Sequence, residues 1–370
     1  MRLLQSVSNR LKKAYCEIKD YRTSRHILVF ESDDWGSIRM SSQKHWSELL
    51  KMGYAVDKRP YERFDTLESS ADLVALFDVL CKYKDCHGNH PVITANMLMA
   101  NPDFEKIEST GFETYFYEPI KDTYQRYFGN SNVLNVMRQG IEEGVFMPQS
   151  HGREHFNVTL WMRRLQEGDE DLHNAFKFGM CGIAPLAHPE QGNKMMIALQ
   201  AGNQEEQSRI NRIVVDSLQM FEETWGFKSK TFVAPCYCWN EEIERVLSDN
   251  AVSLIQTSRV KKAAYNSPMR FCYSGEKSLF HQRYSVRTCA FEPATNNNGS
   301  VDALMKQCEN SFKNKLIAVF STHRINYVGG LSEQNRTRTL SVLNDFLYRV
   351  LEEYPDIEFY SSDRLTEVLL

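Results

Sequence analysis

Two histidines four residues apart could bind a metal ion. They end the segment His151-Gly152-Arg153-Glu154-His155, and this spacing puts both imidazoles on one face of a helix or on a strand-end loop that enters a helix. Neutral imidazole is a good ligand for Zn²⁺, and one carboxylate would complete a three-ligand site with an open position. Alone, the pattern is more typical of two polar residues on a solvated turn, so a metal site needs a carboxylate from elsewhere.

That carboxylate could come from Asp33 or Asp34, which follow the apolar run that starts at His26 and ends at Phe30. Two adjacent negative charges after a buried strand repel each other, and a metal ion bound to one of them would relieve the repulsion. The other carboxylate could then act as a general base on water. A helix N-cap or a pair of loop carboxylates is the structural alternative. Trp35 beside them is either a core residue or a surface that stacks on a sugar.

His323 follows another apolar run and could protonate a leaving group as a general acid. A partly buried structural histidine is the alternative at this position. His151, and Pro235 with Trp239, also come directly after apolar strand-like runs. The carboxyl ends of the strands of a parallel α/β barrel converge on one face, where active sites are built. We therefore expect these residues to lie close together.

Short apolar runs predict the strands of this sheet. They are 26–30, 91–96, 145–150, 231–234, 252–257, 284–288, 316–320 and 357–360. Stretches with helical periodicity lie between several of them, for example 71–83, 241–247 and 301–312. Strands that alternate with helices predict βαβ units and a parallel sheet, and seven or eight such units favour a closed α/β barrel over an open sheet.

We expect residues 1–370 to form a single catalytic barrel domain, because no linker divides the chain. Residues 158–226 are predicted to be mainly helical, with a turn-rich interruption near 185–193. They exceed what a simple barrel needs, so we interpret them as an elaboration that shapes substrate access or an oligomer contact. Residues 296–300 are predicted to form a loop.

Read together, these segments resemble the NodB-type polysaccharide deacetylase family, part of the wider glycoside hydrolase/deacetylase barrel superfamily. Four motifs in order carry the resemblance, and together they span about residues 26–323. They are Ser32-Asp33-Asp34-Trp35-Gly36, His151-Gly152-Arg153-Glu154-His155, Phe232-Val233-Ala234-Pro235-Cys236 with Trp239, and Phe320-Ser321-Thr322-His323.

The resemblance implies a distorted (β/α) barrel, often of seven strands. It implies that Asp34, His151 and His155 bind a divalent metal ion, commonly Zn²⁺. Asp33 would be the general base and His323 the general acid. The implied reaction is the metal-dependent hydrolysis of an N- or O-linked acetyl group on a carbohydrate or glycan precursor. We expect four further residues at the substrate, namely Trp35, Pro235, Trp239 and Arg287.

The third motif departs from the family pattern, which usually has Arg two residues before the Pro and Tyr directly after it. Those positions hold Val233 and Cys236 here. The charged partner of the general base would then come from elsewhere, with Arg287 or Arg153 as candidates, or be absent. Glu292 could be the carboxylate of a fourth motif. The alternatives are a hydrolase of another C–N or glycosidic bond, and a degenerate metal- or carbohydrate-binding protein of polysaccharide biosynthesis.

The composition narrows the class of protein. The chain has 370 residues and a net charge of −4, which offers no electrostatic footprint for nucleic acid and suits a neutral sugar better than a polyanion. No apolar run approaches the roughly 20 residues of a transmembrane helix. The nine cysteines are odd in number and scattered, so we expect no disulfide framework and a reducing, cytoplasmic location. A homo-oligomer is compatible with these features.

Three other features are weaker. The basic, amphipathic residues 1–21 predict a helix on the protein surface rather than one that lies in a membrane interface. Cys81, Cys86, His87 and His90 do not have the spacing of a zinc knuckle. The pair of cysteines at 236 and 238 lacks the C-x-x-C geometry of a redox motif.

Overall fold

Parallel strands form the wall of a barrel in this protein. A computed structural model describes residues 2–129, 132–295 and 299–369. In this part of the chain the strands are β1 (Ile27–Trp35), β2 (Ile93–Met97), β3 (Ala100–Pro102), β4 (Tyr117–Pro119), β5 (Phe146–Ser150), β6 (Thr231–Val233), β7 (Leu254–Thr257), β8 (Val260–Lys261), β9 (Arg270–Phe271), β10 (Arg283–Val286), β11 (Cys289–Ala290), β12 (Ala318–His323) and β13 (Glu358–Tyr360). The main sheet has the order β10-β7-β6-β5-β2-β1-β12-β11, with parallel pairing throughout.

The two edges of this sheet meet because only two residues separate β10 from β11. The backbone N–H of Arg287 donates to Thr257 at the end of β7, and the N–H of the next residue, Thr288, donates to Val319 of β12. One interrupted strand, β10 with β11, therefore closes the sheet into a barrel of seven strands. β13 adds a short parallel pairing at the start of β1. The predicted fold class, a distorted (β/α) barrel of seven strands, is confirmed.

Helices cover the outside of the barrel. They are α1 (Arg2–Lys19), α2 (Gln43–Lys51), α3 (Pro60–Phe64), α4 (Ser70–Leu80), α5 (Phe104–Ser109), α6 (Ile120–Phe128), α7 (Val133–Glu142), α8 (Val158–Gln166), α9 (Glu170–Lys177), α10 (Gln204–Trp225), α11 (Glu241–Asp249), α12 (Val301–Lys313), α13 (Glu333–Glu353) and α14 (Thr366–Leu369). The start of α4 shows why a helix begins where it does: Ser69 and Asp72 form a reciprocal capping box that satisfies free N–H groups. The largest apolar cluster lies between the sheet and α4, α7, α12 and α13.

The long helix α10 belongs to the barrel itself. Its Val214 and Leu218 pack with Phe232 of β6 and Ile255 of β7, which is the position of the helix in a β5–α10–β6 unit. The helical elaboration expected over 158–226 is therefore shorter and ends before α10. Its irregular part contains two short 3₁₀ turns, Pro189–Gln191 and Lys194–Met196. Of the predicted loop at 296–300, residues 296–298 lie outside the described part of the chain.

The barrel interior changes from apolar to polar along the strands. Side chains of a strand alternate between its two faces, so Phe30 of β1 faces the helices while Val29 and Glu31 face inward. Val29 packs with Leu254 of β7 and Leu365 near α14 in an apolar floor. The next inward layer is a hydrogen-bonded polar network that starts at Glu31, and the candidate site lies above it.

Helix α1 lies at the surface, where Leu11, Tyr15 and Ile18 are exposed. Among the described residues, no helix has the length and hydropathy needed to cross a membrane.

Candidate metal and catalytic site

A β-bulge in strand β1 brings Asp33 and Asp34 to the same end of the barrel. In a regular strand these neighbours would point to opposite faces. The pairing of β1 with β2 shifts register between Ser32 and Trp35, and Asp34 takes the left-handed conformation with φ 78°. This conformation costs about 1–3 kcal/mol for a residue other than glycine and is typical of functional sites. The bulge lets both carboxylates reach the site and turns Trp35 outward.

The two histidines of the second motif meet Asp34 at this end. His151 follows directly after β5, and Gly152, with φ 107°, turns the chain so that His155 returns to the site. Oδ1 of Asp34 lies 3.7 Å from Nε2 of His151 and 3.2 Å from Nε2 of His155. Within the described chain, these three residues are the only group of His, Cys, Asp and Glu side chains arranged as metal ligands, with ligand atoms within 4.8 Å of one another.

The chemistry of these donors fits a divalent metal ion. Oδ1 of Asp34 and Nε2 of His151 are buried without a hydrogen-bond partner, which is costly unless something else binds them. Nδ1–H of His151 donates to the Val233 carbonyl over 2.8 Å, and this bond leaves the Nε2 lone pair free for a metal. Burial lowers the pKa of His155 to about 3, so its imidazole is neutral, as a metal ligand must be.

Arg39 holds the second oxygen of Asp34. Its Nη2 donates to Oδ2 over 2.9 Å. Burial opposes ionisation of Asp34, but the positive charge of Arg39 holds the pKa of this carboxyl well below its usual range. Oδ2 is thus fixed by a salt bridge while Oδ1 faces the two histidines.

Asp33 is bound by Arg287, which lies between β10 and β11, where the sheet closes into the barrel. Nη1 and Nη2 of Arg287 donate to its two oxygens over 2.6 and 2.7 Å, and Nδ2 of Asn96 donates to Oδ1 over 2.7 Å. Burial raises the pKa of Asp33, but Arg287 outweighs this effect and lowers it to about 2. Arg287 also donates to Glu31 over 2.6 Å and to Gln256 over 3.0 Å, so the guanidinium is fixed by the polar layer beneath.

His323 ends β12 opposite Asp33, with which it is in register. Its Nδ1–H donates to Oε1 of Glu292 over 2.5 Å. Burial lowers the pKa of His323, but the Glu292 carboxylate outweighs it and raises the pKa to about 9. The imidazole is therefore protonated near neutral pH. Nδ2 of Asn326 donates to the other oxygen of Glu292 over 2.9 Å, which fixes the orientation of this pair.

The floor of a pocket of about 310 Å³ is formed by Asp33, Asp34, His151, His155 and His323. Tyr61 lies in its wall between two functional groups: its ring meets that of His323 edge-on at 5.6 Å, and the Arg39 guanidinium lies 6.0 Å from its centre. Cys236 and Tyr237 also line the pocket, and both have left-handed backbone conformations, with φ 57° and 56°. The positions where the third motif departs from the family pattern therefore lie at, or directly beside, the pocket wall.

Two residues expected at the substrate lie in the core instead. The indole of Trp35 donates to Oγ of Ser32 over 2.9 Å and packs edge-on against Phe146. The indole of Trp239 donates to Glu244 over 2.8 Å. Both tryptophans are 1% exposed, and the pocket lining includes neither of them. We correct their expected role from substrate contact to packing.

Pro235 and Arg287 also lie behind the pocket surface. Pro235 is buried in the turn after β6, while its neighbours Ala234 and Cys236 line the pocket. Arg287 contacts Asp33 rather than the cavity. Arg153, the other candidate partner, pairs with Glu154 over 2.7 Å and Asp216 over 2.9 Å.

Several polar residues of the site were not expected from the sequence. Glu31 offered a signal, since it is a charged residue directly after an apolar strand-like run. Arg39 and Tyr61 offered none, because Arg39 lies on the loop after β1 and Tyr61 in the short helix α3, where residue spacing does not predict which way a side chain points.

Comparisons with known proteins find similarity at the level of solved structures. No protein-family model matches the sequence, and no curated protein does. One similar structure is the peptidoglycan deacetylase PdaC from Bacillus subtilis, with 8% identity, a TM-score of 0.38 and coverage of 93% of this chain and 91% of that one. Another is a family 4 carbohydrate esterase from Streptomyces lividans in complex with acetate, with 10% identity, a TM-score of 0.38 and 90% coverage of each chain.

A third similar structure is a family 4 carbohydrate esterase pseudoenzyme from Bacillus anthracis, with 9% identity and a TM-score of 0.38. The match covers 94% of this chain and 66% of that one. The solved structures similar to this chain thus include deacetylases, the class that the four motifs resemble.

Proposed function

We propose that this protein is a metal-dependent hydrolase that removes an N- or O-linked acetyl group from a carbohydrate. One observation carries the proposal: Oδ1 of Asp34 and Nε2 of His151 are buried, unpartnered and 3.7 Å apart, beside an ionised carboxylate and a protonated imidazole. A structural site would have no need for this combination of free ligand atoms, base and acid. The carbohydrate as substrate class rests on the resemblance of the four motifs.

Asp34, His151 and His155 would hold the metal ion. We propose Zn²⁺, because two imidazoles and one carboxylate with an open position are typical of catalytic zinc sites. When bound, such an ion polarises a carbonyl and makes water a stronger acid.

Asp33 and His323 would move the protons of the reaction. Asp33 is ionised near neutral pH, and Oδ2 accepts only from Arg287 among the described side chains, so it has room to take the proton of the attacking water. The oxygen of that water forms the new bond to the acetyl carbon, and the bond from this carbon to the sugar nitrogen or oxygen breaks. His323 gives its proton to the departing sugar atom, and acetate is the second product.

The pairing of Arg287 with Asp33 supports an active enzyme over a degenerate binding protein. The departure at Val233 would remove the usual partner of the base, but Arg287 supplies a guanidinium to the same carboxylate from β10–β11. A binding protein has no use for a buried base that is fixed by three hydrogen bonds. We also propose a cytoplasmic location, which the nine free cysteines support.

The test measures acetate release by the zinc-loaded protein from N-acetylated and O-acetylated sugars and from unrelated amides. Acetate release that needs the metal and is lost in Asp33→Asn supports the proposal. Cleavage of other amides or of glycosidic bonds without acetate favours a different hydrolase on the same barrel. A protein that binds no divalent metal, in which Asp34→Ala and His155→Ala change neither metal content nor stability, contradicts it.

A further inference from the structure

The pocket above the candidate site has two walls that come from different parts of the chain. One wall comes from the segment between β1 and α4 and includes Met40, Arg59 and Tyr61. The other comes from the elaboration after α9 and includes Met180 and Met196. The site lies at the floor between them, where the side chains of Asp33, Asp34 and the two metal-binding histidines are 2–10% exposed.

The two wall segments pack against each other beside the pocket. Met40, Tyr54 and Val56 of the first wall form one buried apolar cluster with Met180 and Ile183 of the second. Burial of such side chains contributes roughly 1.5–3 kcal/mol each, so the junction is a stable part of the fold.

Polar contacts tie the walls together closer to the pocket. Nη1 of Arg59 donates to the carbonyl oxygen of Pro189 over 3.0 Å. Arg39 forms the salt bridge with Asp34, and its Nη1 lies 3.2 Å from Sδ of Met196. The thiol of Cys236 donates to the Met196 carbonyl over 3.4 Å. These contacts hold the two 3₁₀ turns of the elaboration against residues on both sides of the site.

A closed wall limits what can reach the metal site. A polymer cleaved along its length must run past the reacting atoms and leave the site in both directions, which requires a groove open at both ends. Two segments joined in this way would block one of these directions. The pocket volume of about 310 Å³ is at the lower end of the range for small-molecule sites, roughly 300–1,000 Å³.

The lining suits a small, partly apolar ligand. Met40, Met180, Met196 and Ala234 offer apolar surface, while Arg59 and Glu62, paired over 3.1 Å, offer polar groups that a hydroxyl could contact. Methionine side chains adapt their shape to the group they contact.

We propose that the substrate is a single acetylated sugar unit, and that the segment 180–196 excludes longer glycans from the site. This inference rests on the proposed function, since it names the substrate class of the same site. It differs from a polysaccharide deacetylase, for which the sugar units on both sides of the reacting one must also be bound.

The experiment compares acetate release from N-acetylglucosamine and from its linear tetramer by the zinc-loaded protein, at equal concentrations of acetyl groups. We expect kcat/KM for the single sugar to exceed that for the tetramer at least tenfold. Equal or better turnover of the tetramer overturns the inference.

The double variant Arg59→Ala/Met196→Ala removes two contacts between the walls. It is expected to lower the ratio of kcat/KM for the single sugar to kcat/KM for the tetramer. The control is Arg63→Ala, since Arg63 is an exposed arginine of α3, and it is expected to leave this ratio unchanged. An equal change of the ratio in the double variant and in the control overturns the inference.

A binding measurement separates failure of the inference from failure of the proposed function. Calorimetric titration of zinc-loaded Asp33→Asn protein with the same two sugars needs no turnover. If no acetate is released by wild type but the single sugar binds at least tenfold more tightly than the tetramer, the inference stands and the proposed reaction fails. Tetramer binding as tight as that of the single sugar, or binding of neither, overturns the inference.

Discussion

Arg287 donates to both carboxylate oxygens of Asp33, over 2.6 Å to Oδ2 and 2.7 Å to Oδ1. Asp33 lies at the β-bulge of β1, whereas Arg287 is one of the two residues that separate β10 from β11. The backbone N–H of Arg287 donates to Thr257 at the end of β7. The same residue therefore helps to close the barrel with its backbone and fixes the candidate base with its side chain. Closure of the fold and orientation of the base therefore depend on the same short link.

Arg287→Lys is expected to lower kcat by about 10²-fold, while metal content and KM change little. Lysine keeps the positive charge but cannot make the two parallel bonds, and a small misplacement of a reacting group costs about this much. The measurement is steady-state kinetics of acetate release together with metal analysis. The matched control is Arg259→Lys, since Arg259 makes a similar pair of bonds to Asp20, over 2.8 and 2.7 Å, away from the pocket. A larger effect on KM than on kcat would contradict a role in positioning the base.

Asp33→Asn and Asp34→Asn are expected to fail in different ways. Asp34→Asn weakens metal binding, because the amide loses the charge on the oxygen that faces both histidines. Asp33→Asn keeps the metal but lowers activity by roughly 10²–10⁴-fold, the usual contribution of a general base. Metal analysis after dialysis and acetate release distinguish the two variants. Similar metal loss in both would mean that the adjacent carboxylates share the ion.

The sequence predicts the central residues of the site because each follows an apolar run. The rule that parallel strands end on one face of the sheet predicts that the two adjacent aspartates lie near His151. The choice of Asp34 rather than Asp33 as the metal ligand came from the family resemblance. The partner of Asp33 could be narrowed to two arginines and no further, since a separation of 254 residues along the chain says nothing about distance in space. Arg39 could not be predicted, because it reaches Asp34 from a loop.

The wrong expectation for Trp35 has a physical cause in the bulge of β1. With regular alternation, Trp35 would share the inward face of Asp33. The left-handed conformation of Asp34 inserts one residue, so Asp34 turns toward the site and Trp35 turns toward the helices. A sequence pattern with period two carries no sign of such a shift.

Trp35→Phe and Trp239→Phe are expected to lower stability by about 1–3 kcal/mol and to leave the KM of the substrate unchanged. Each substitution removes buried ring surface and leaves a buried oxygen, that of Ser32 or Glu244, without its indole donor. Denaturant unfolding and kinetics of the same preparations test this. Tyr61→Phe is the contrasting variant, since Tyr61 lines the pocket. A rise in KM for Trp239→Phe with unchanged stability would restore the tryptophan to the substrate site.

The activity is expected to fall as pH rises through about 9, because His323 must carry a proton to act as the acid. Its pKa of about 9 is raised by Glu292, so the acid form is present below this pH and lost above it. Glu292→Gln removes the charge, and the falling limb of kcat/KM should move down by about two units, toward the usual value near 6.5. Glu352→Gln, an exposed residue of α13, is the control and should keep the wild-type profile. The same falling limb in wild type and Glu292→Gln would mean that a group other than His323 supplies the proton.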